Sequence, residues 1–153
     1  MPEIVEAEVP SKDECVIAML AHVLMIFSWF WAPLIIYFAK RDSRFVAFHA
    51  LQALVWQIIW VCAWVVTFVA ILALTFSAPF VSGGAGGAGT MPPVFVVVLP
   101  LIWVGIMGGW VLNLVLGILF GIKASHGEWA RYPLLGRWTL RRVKARTQAG
   151  VAA

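Results

Sequence analysis

FVAFHALQALVWQIIWVCAWVVTFVAILALTFSA, residues 45–78, is a run of 34 residues without one charged side chain. As a single α-helix it would be about 51 Å long, whereas the hydrocarbon core of a bilayer is about 30 Å thick. No polar turn divides the run. It therefore predicts one long membrane helix that tilts, bends or protrudes.

The composition of the whole chain is that of a membrane protein. Of the 153 residues, 63% are hydrophobic and 12% are charged, and the mean hydropathy is +0.95. Ordinary soluble domains are about half apolar and about a quarter charged. A soluble core of this length could not bury so much apolar surface, so we expect an all-α integral membrane protein.

Two further uncharged runs flank this segment, and each is long enough to cross a bilayer. We expect three transmembrane helices in a single domain, residues 16–138, with Pro33 kinking the first helix. The resulting organisation is an acidic tail at 1–15, spans at about 16–39, 45–78 and 94–122, a Gly-rich loop at 79–93, and a basic tail at 139–153.

The charges predict an orientation. Basic residues concentrate in the turn 40–44 and at the C-terminal end, whereas the charged residues among the first fourteen are mainly acidic. Basic segments beside membrane spans favour the cytoplasm. We therefore expect a bacterial inner-membrane protein with its N-terminus outside and its basic C-terminus in the cytoplasm.

Polar side chains in the second span follow one narrow stripe of a helical wheel. Phe45, His49, Gln52 and Trp56 have the spacing i, i+4, i+7 and i+11. Lipid offers these groups no hydrogen-bond partner, so the stripe should face other helices. We predict a helix-packing polar stripe of His49, Gln52, Gln57 and Asn113.

The third span repeats small residues every four positions. Gly105, Gly109, Gly117 and Gly121 surround Asn113, and small residues at this spacing let a second helix approach closely. By helix rise, Asn113 lies at a depth similar to Gln52 and Gln57. We predict that Asn113 approaches one of these two glutamines.

Cofactor and catalytic sites are not expected. By helix rise, His22 and His49 would stand on the order of 20 Å apart on neighbouring helices, which disfavours bis-histidine haem. A chlorophyll-type pigment needs one ligand, so it stays an open alternative. Residues 16–39 and 45–122 contain no Asp or Glu, and the two cysteines form no metal-binding motif. We expect no metal, no catalytic residues and no enzymatic activity.

The basic C-terminal end predicts a binding surface. Basic residues beside a membrane span attract anionic lipids. An acidic protein partner or ribosomal RNA is the alternative, although no Gly-rich phosphate loop or basic–aromatic pattern supports nucleic-acid binding. The residues concerned are Arg137, Arg141, Arg142, Lys144 and Arg146.

Three blocks of the sequence resemble a known family. FVAFHALQALVWQI, HVLMIFSWFWAPLIIYFAKRDSRF and IKASHGEWARYPLLGRW occur in the order typical of a bacterial membrane family of unknown function. That family is related to the Tic-twenty-like import proteins of the chloroplast inner envelope. The resemblance covers residues 16–138 and implies a helical membrane fold and membership of a protein-import complex. The chloroplast proteins have four spans, whereas this chain shows three uncharged runs.

These features predict a small non-enzymatic subunit or accessory factor of a larger membrane complex, with other membrane subunits as partners. Protein translocation is favoured by the resemblance alone. A respiratory or photosynthetic complex is an alternative. A homo-oligomeric transporter or channel is a second alternative, although the few polar residues would line a poor pore.

Overall fold

A computed structural model describes residues 9–81, 93–132 and 135–151, and this part of the chain is helical without strands, as predicted. Two of the helices, α3 and α4, are long and apolar enough to cross a membrane. The chain divides into two compact units. The first comprises the described residues up to Ile59 and from Asn113 onward, and the second comprises Trp60–Leu112. The helices are α1 (Lys12–Ser28), α2 (Trp31–Ala39), α3 (Arg44–Val81), α4 (Pro93–Ser125) and α5 (Gly136–Val151).

Helix α1 begins with a capping box. The Ser11 hydroxyl accepts a hydrogen bond from the Glu14 backbone N–H at 3.3 Å, and the Glu14 carboxylate accepts one from the Ser11 N–H at 2.8 Å. These reciprocal bonds satisfy two N–H groups that lack partners within the helix. The Ser43 side chain and the Ser11 backbone N–H lower the pKa of Glu14. The start of α1 therefore lies beside the turn that precedes α3.

The first apolar run, in which a kink at Pro33 was predicted, forms two helices, α1 and α2. Helix α1 ends at Ser28, and Trp29 adopts a positive φ of 57°. The cause is Pro33, whose ring would clash with the Trp29 carbonyl in a continuous helix. In the structure Pro33 instead lies in the first turn of α2, where an N–H would have no partner within the helix, so no hydrogen bond is lost. The Ser28 hydroxyl donates to the Leu24 carbonyl at 2.7 Å and accepts from the Ala32 N–H at 3.3 Å.

Within the first unit, α1 and the start of α3 run in the same direction. Ala18 packs against Phe45 at the beginning of both helices, and the Gln57 amide bonds to the Met25 carbonyl further along. The beginning of α1 thus lies at the same end of the unit as the turn 40–43. The three-span topology with the N-terminus opposite this turn is therefore not confirmed.

Helix α4 ends in a Schellman motif. The Glu128 N–H bonds to the Lys123 carbonyl and the Gly127 N–H to the Ala124 carbonyl, while Gly127 takes a φ of 77°. This left-handed conformation suits glycine, and the two bonds satisfy carbonyls at the helix end. The motif turns the chain back toward the beginning of α3.

Helix α5 packs against the first unit through one face. Leu140 and Val143 form a buried cluster with Phe48, and Trp129 packs beside them. The Thr139 hydroxyl donates to carbonyls of the preceding turn, so it needs no distant partner. The predicted basic tail is therefore largely a helix with one buried apolar face.

The second unit consists of the end of α3 and the beginning of α4. The Trp60 ring covers Gly109, where an added Cβ would collide with the indole. Trp60 and Trp64 pack edge to face, with ring centroids 6.4 Å apart. An open groove of about 290 Å³ follows this contact and includes Thr67 and Gly105 in its lining. Outside its own turns of α4, no atom of the described residues lies within 4 Å of the position that a Cβ on Gly105 would take.

We predict that Gly117→Val lowers the free energy of unfolding by about 1–3 kcal/mol, because a side chain there would overpack the contact with α1. A Cβ at this position would lie 2.9 Å from the Ile26 side chain and 3.1 Å from the His22 carbonyl oxygen. Unfolding of the full chain in mild detergent measures the loss. Gly105→Val is the matched control and should change little. Equal effects of the two substitutions would contradict the packing of α4 on α1.

Candidate functional site

Three side chains and one backbone carbonyl form a continuous hydrogen-bonded chain in the first unit. His22 Nδ1 lies 3.1 Å from the Tyr132 hydroxyl, and His22 Nε2 lies 3.0 Å from His49 Nδ1. His49 Nε2 lies 3.0 Å from the backbone oxygen of Glu128. Both imidazoles are fully buried, so this chain joins α1, α3 and the segment after α4 inside the protein.

All hydrogen bonds of this chain run from donor to acceptor in the same order, from the Tyr132 hydroxyl to the Glu128 carbonyl. A carbonyl oxygen can only accept, so His49 Nε2 donates to Glu128 and His49 Nδ1 accepts from His22 Nε2. His22 Nδ1 then accepts from the Tyr132 hydroxyl. Burial raises the pKa of Tyr132, so this phenol keeps its proton. One set of neutral tautomers satisfies every ring nitrogen, and no charge is required.

Gln52 extends the network by pairing with backbone. Its Oε1 accepts from the Tyr132 N–H at 2.8 Å, and its Nε2 donates to the Ala130 carbonyl at 3.1 Å. The carboxamide thus binds residues 130–132 as a neighbouring peptide strand would. This segment is not helical, so its buried backbone groups need such partners.

Aromatic rings enclose the network. Phe45 and Phe48 contact the His49 ring at centroid distances of 4.6 and 5.2 Å, and both also contact Trp129. On the other side, Phe120 packs at 4.1 Å from the Tyr132 ring. These apolar surroundings exclude water, so each polar group inside depends on the protein for its hydrogen bonds.

The four residues of the predicted polar stripe are all buried, but the partners differ from those predicted. The Asn113 side-chain oxygen accepts from the Trp56 indole N–H at 3.0 Å, rather than from Gln52 or Gln57. Gln57 donates to the Met25 carbonyl at 2.6 Å, and its own oxygen is buried without a partner. Met25 lies in the last turn of α1, where a carbonyl lacks a helical partner.

The predicted separation of His22 and His49 is wrong, because the break at Trp29 makes α1 run alongside α3 in the same direction. Their facing nitrogens are 3.0 Å apart instead of about 20 Å. Two axial nitrogens on one iron would stand about 4 Å apart, twice a metal–imidazole bond of about 2 Å. In this arrangement the imidazoles bind each other directly. Within residues 9–81, 93–132 and 135–151, His, Cys, Asp and Glu form no cluster of three suited to a metal ion.

The four predicted glycines have different surroundings. Gly117 and Gly121 contact α1, through Ile26 and Val23 respectively. In the second unit, Gly109 lies under Trp60 and Gly105 lines the open groove. The small residues therefore serve contacts within the chain at three of the four positions.

The sequence analysis missed Tyr132 and the carbonyls of Glu128 and Ala130. Tyr132 lies in a segment that looked like a polar tail, and nothing in the sequence marks a backbone carbonyl as a partner. The aromatic residues of this segment, Trp129 and Tyr132, were the available signal. Trp129 packs against Phe45 and Phe48.

The predicted basic residues belong to α5. Arg137, Arg141 and Arg142 are exposed, and the Arg142 guanidinium lies 5.2 Å from the Trp138 ring centroid. The helix also includes Lys144 and Arg146, whose side chains lie outside the described part of the structure.

Comparison with known protein families gives a match over most of the chain. The profile of the magnetosome magnetite crystal formation protein family, MamF/MmsF, matches residues 13–139. The chain belongs to this family. The matched range includes every residue of the imidazole chain and both long apolar helices. Membership connects the chain to magnetite crystal formation in a membrane-associated role.

The family match corrects the Tic-twenty-like resemblance, which named a different family and is wrong. The three sequence blocks that suggested it lie entirely within the MamF/MmsF match. Protein translocation followed from that resemblance alone and loses its basis. No curated protein and no solved structure matches the chain.

We predict that Gln52→Leu destabilises this family member by about 1–3 kcal/mol for each backbone group left unpaired, the Tyr132 N–H and the Ala130 carbonyl. Unfolding of the full chain in mild detergent measures the change. Thr67→Val is the control, because the Thr67 hydroxyl bonds only to the Ala63 carbonyl of its own helix. Its effect should stay within about 0.5 kcal/mol. A loss for Gln52→Leu no larger than the control would contradict the pairing with residues 130–132.

A double-mutant cycle tests the imidazole chain. We predict that His22→Leu and Tyr132→Phe are non-additive, with a coupling free energy of about 0.5–3 kcal/mol, because each substitution removes the same hydrogen bond. Tyr132→Phe retains the ring that packs on Phe120. The free energies of unfolding of both single variants and the double variant supply the measurement. Strict additivity would show that the two side chains do not interact.

Proposed function

We propose that this chain is a non-enzymatic integral protein of the magnetosome membrane that acts as an accessory subunit in magnetite crystal formation. The observation that carries the proposal is the MamF/MmsF match over residues 13–139. The two long apolar helices support the membrane location. We expect this chain to bind other membrane protein subunits and not nucleic acid.

The distribution of carboxylates supports an accessory role rather than direct binding of iron. Hard metal ions and oxide surfaces are bound chiefly by oxygen ligands such as carboxylates. The uncharged runs 16–39 and 45–122 contain no Asp or Glu, and this includes the loop 79–93. The imidazoles of His22 and His49 use their nitrogens on one another and on neighbouring groups. An effect on the crystal would therefore pass through partner proteins.

The charges support one orientation of this protein in the magnetosome membrane. The turn 40–44, the end of α4 and α5 are basic, and basic segments favour the cytoplasmic side. The uncharged loop 79–93 would then face the interior of the magnetosome. Because the beginning of α1 lies beside the turn 40–43, the described N-terminal residues would share the cytoplasmic side.

Deletion of the coding sequence in a magnetosome-forming host tests the role. We expect fewer or smaller magnetite crystals in electron micrographs, because the family acts in crystal formation. Complementation with the wild-type chain or with Gly105→Ala, which changes an unobstructed position, should restore them. A tagged wild-type chain should be recovered with purified magnetosome membranes. Unchanged crystals together with a chain absent from those membranes would contradict the proposal.

Purification of the tagged chain in mild detergent tests the accessory role. Stoichiometric membrane proteins should be recovered with it, and mass spectrometry identifies them. A chain recovered alone, from membranes in which its deletion alters the crystals, would contradict action through a partner.

A further inference from the structure

The basic residues of the first unit converge at one of its ends. Arg44 begins α3, and one turn later Phe48 packs against Leu140 and Val143 of α5. The turn 40–44 and α5 are almost a hundred residues apart in sequence, yet they lie beside one another. Lys123, in the last turn of α4, is exposed near the same end and lies 5.9 Å from the Phe120 ring centroid.

Helix α5 has two different faces. Thr139, Leu140 and Val143 are buried against the unit, whereas Arg137, Trp138, Arg141 and Arg142 are exposed. The spacing of 137, 138, 141 and 142 is i, i+1, i+4 and i+5, so these four side chains occupy one side of the helix. Stacking of the Arg142 guanidinium on Trp138 joins the charge to an aromatic surface.

The exposed cations of α5 have no ion-pair partner among the residues that the structure describes. Arg137, Arg141 and Arg142 form no salt bridge there, and the Arg142 guanidinium contacts the Trp138 ring. The described face of α5 therefore presents positive charge to its surroundings.

We propose that the exposed face of α5, Arg137, Trp138, Arg141 and Arg142, together with the basic turn 40–44, binds the headgroups of anionic phospholipids. The surface combines three arginines with an indole, and tryptophan is enriched at the level of lipid headgroups. Cationic residues at an anionic membrane surface are attracted to its phosphates. The docked apolar face of α5 holds the helix in place, so binding requires little ordering. The inference rests on the membrane location in the proposed function.

Native mass spectrometry of the full chain in mild detergent tests the lipid contact, with equimolar phosphatidylglycerol and phosphatidylcholine as probes. We expect the wild type to bind phosphatidylglycerol preferentially. The triple variant R137Q/R141Q/R142Q should lose at least tenfold of this preference, because each basic residue near an anionic surface contributes about a fivefold factor. Raising the salt concentration should reduce the wild-type preference as well.

The variant R137K/R141K/R142K is the matched control and should retain most of the preference, because it keeps the charges. Near-UV circular dichroism checks that both triple variants are folded. Equal binding of the two lipids by the wild type, or an unchanged preference in the glutamine variant, would overturn the inference. So would cross-linking of wild-type α5 to an acidic protein when lipid preference does not depend on the arginines.

The lipid experiment and the genetic experiment fail independently. A wild-type chain without lipid preference, which is nevertheless found in the magnetosome membrane and whose deletion alters the crystals, overturns the lipid contact alone. A chain that selects phosphatidylglycerol, but that is absent from magnetosome membranes and whose deletion leaves crystals unchanged, overturns the proposed function alone.

Discussion

Polar groups buried in an apolar protein must find partners within it, and this constraint governs the first unit. Residues 128–132 return across the beginning of α3 in a non-helical conformation, so the carbonyls of Glu128 and Ala130 and the N–H of Tyr132 have no partner in a regular helix or sheet. His49 and Gln52 supply the missing hydrogen bonds, to Glu128, Ala130 and Tyr132. A buried backbone group left unpaired costs about 1–3 kcal/mol, so these two side chains stabilise the path of the chain.

A helix break that depends on a proline allows this arrangement. Because Pro33 prevents a continuous helix through Trp29, α1 and α2 form two short helices, and α1 can run in the same direction as α3. Parallel placement brings His22 level with His49. Gly117 and Gly121 then let α4 approach α1 closely enough for Phe120 and Tyr132 to close the site. The network, the helix break and the small residues thus depend on one another.

The helices of this protein could be predicted from sequence to different degrees. Helices α3 and α4 follow from long uncharged runs, because hydrocarbon selects for length and apolarity. Burial of His49 and Gln52 follows from their spacing on one face. Pro33 predicts a disturbance of the helix near Trp29, because proline clashes with the carbonyl four residues before it, but this rule does not say whether the helix bends or ends there.

The partners within the site were less predictable than its members. Asn113 bonds to an indole, and Gln52 bonds to backbone groups that have no sequence signature. Helix-rise arithmetic assumed one continuous first span and therefore placed His22 at the wrong depth. A side chain can be assigned to a buried face from periodicity, but its partner depends on where a distant loop returns, and the Schellman turn at Gly127 decides that here.

The sequence separation of the imidazole chain orders its assembly during synthesis. His22 and Tyr132 are 110 residues apart, and Gln52 bonds to an N–H 80 residues further on. A nascent chain that has formed α1 and α3 carries two imidazoles and an amide whose partners have not yet been made. The first unit can therefore close only when the ribosome has translated past Tyr132, and a product truncated before that residue leaves these polar groups without the partners they need.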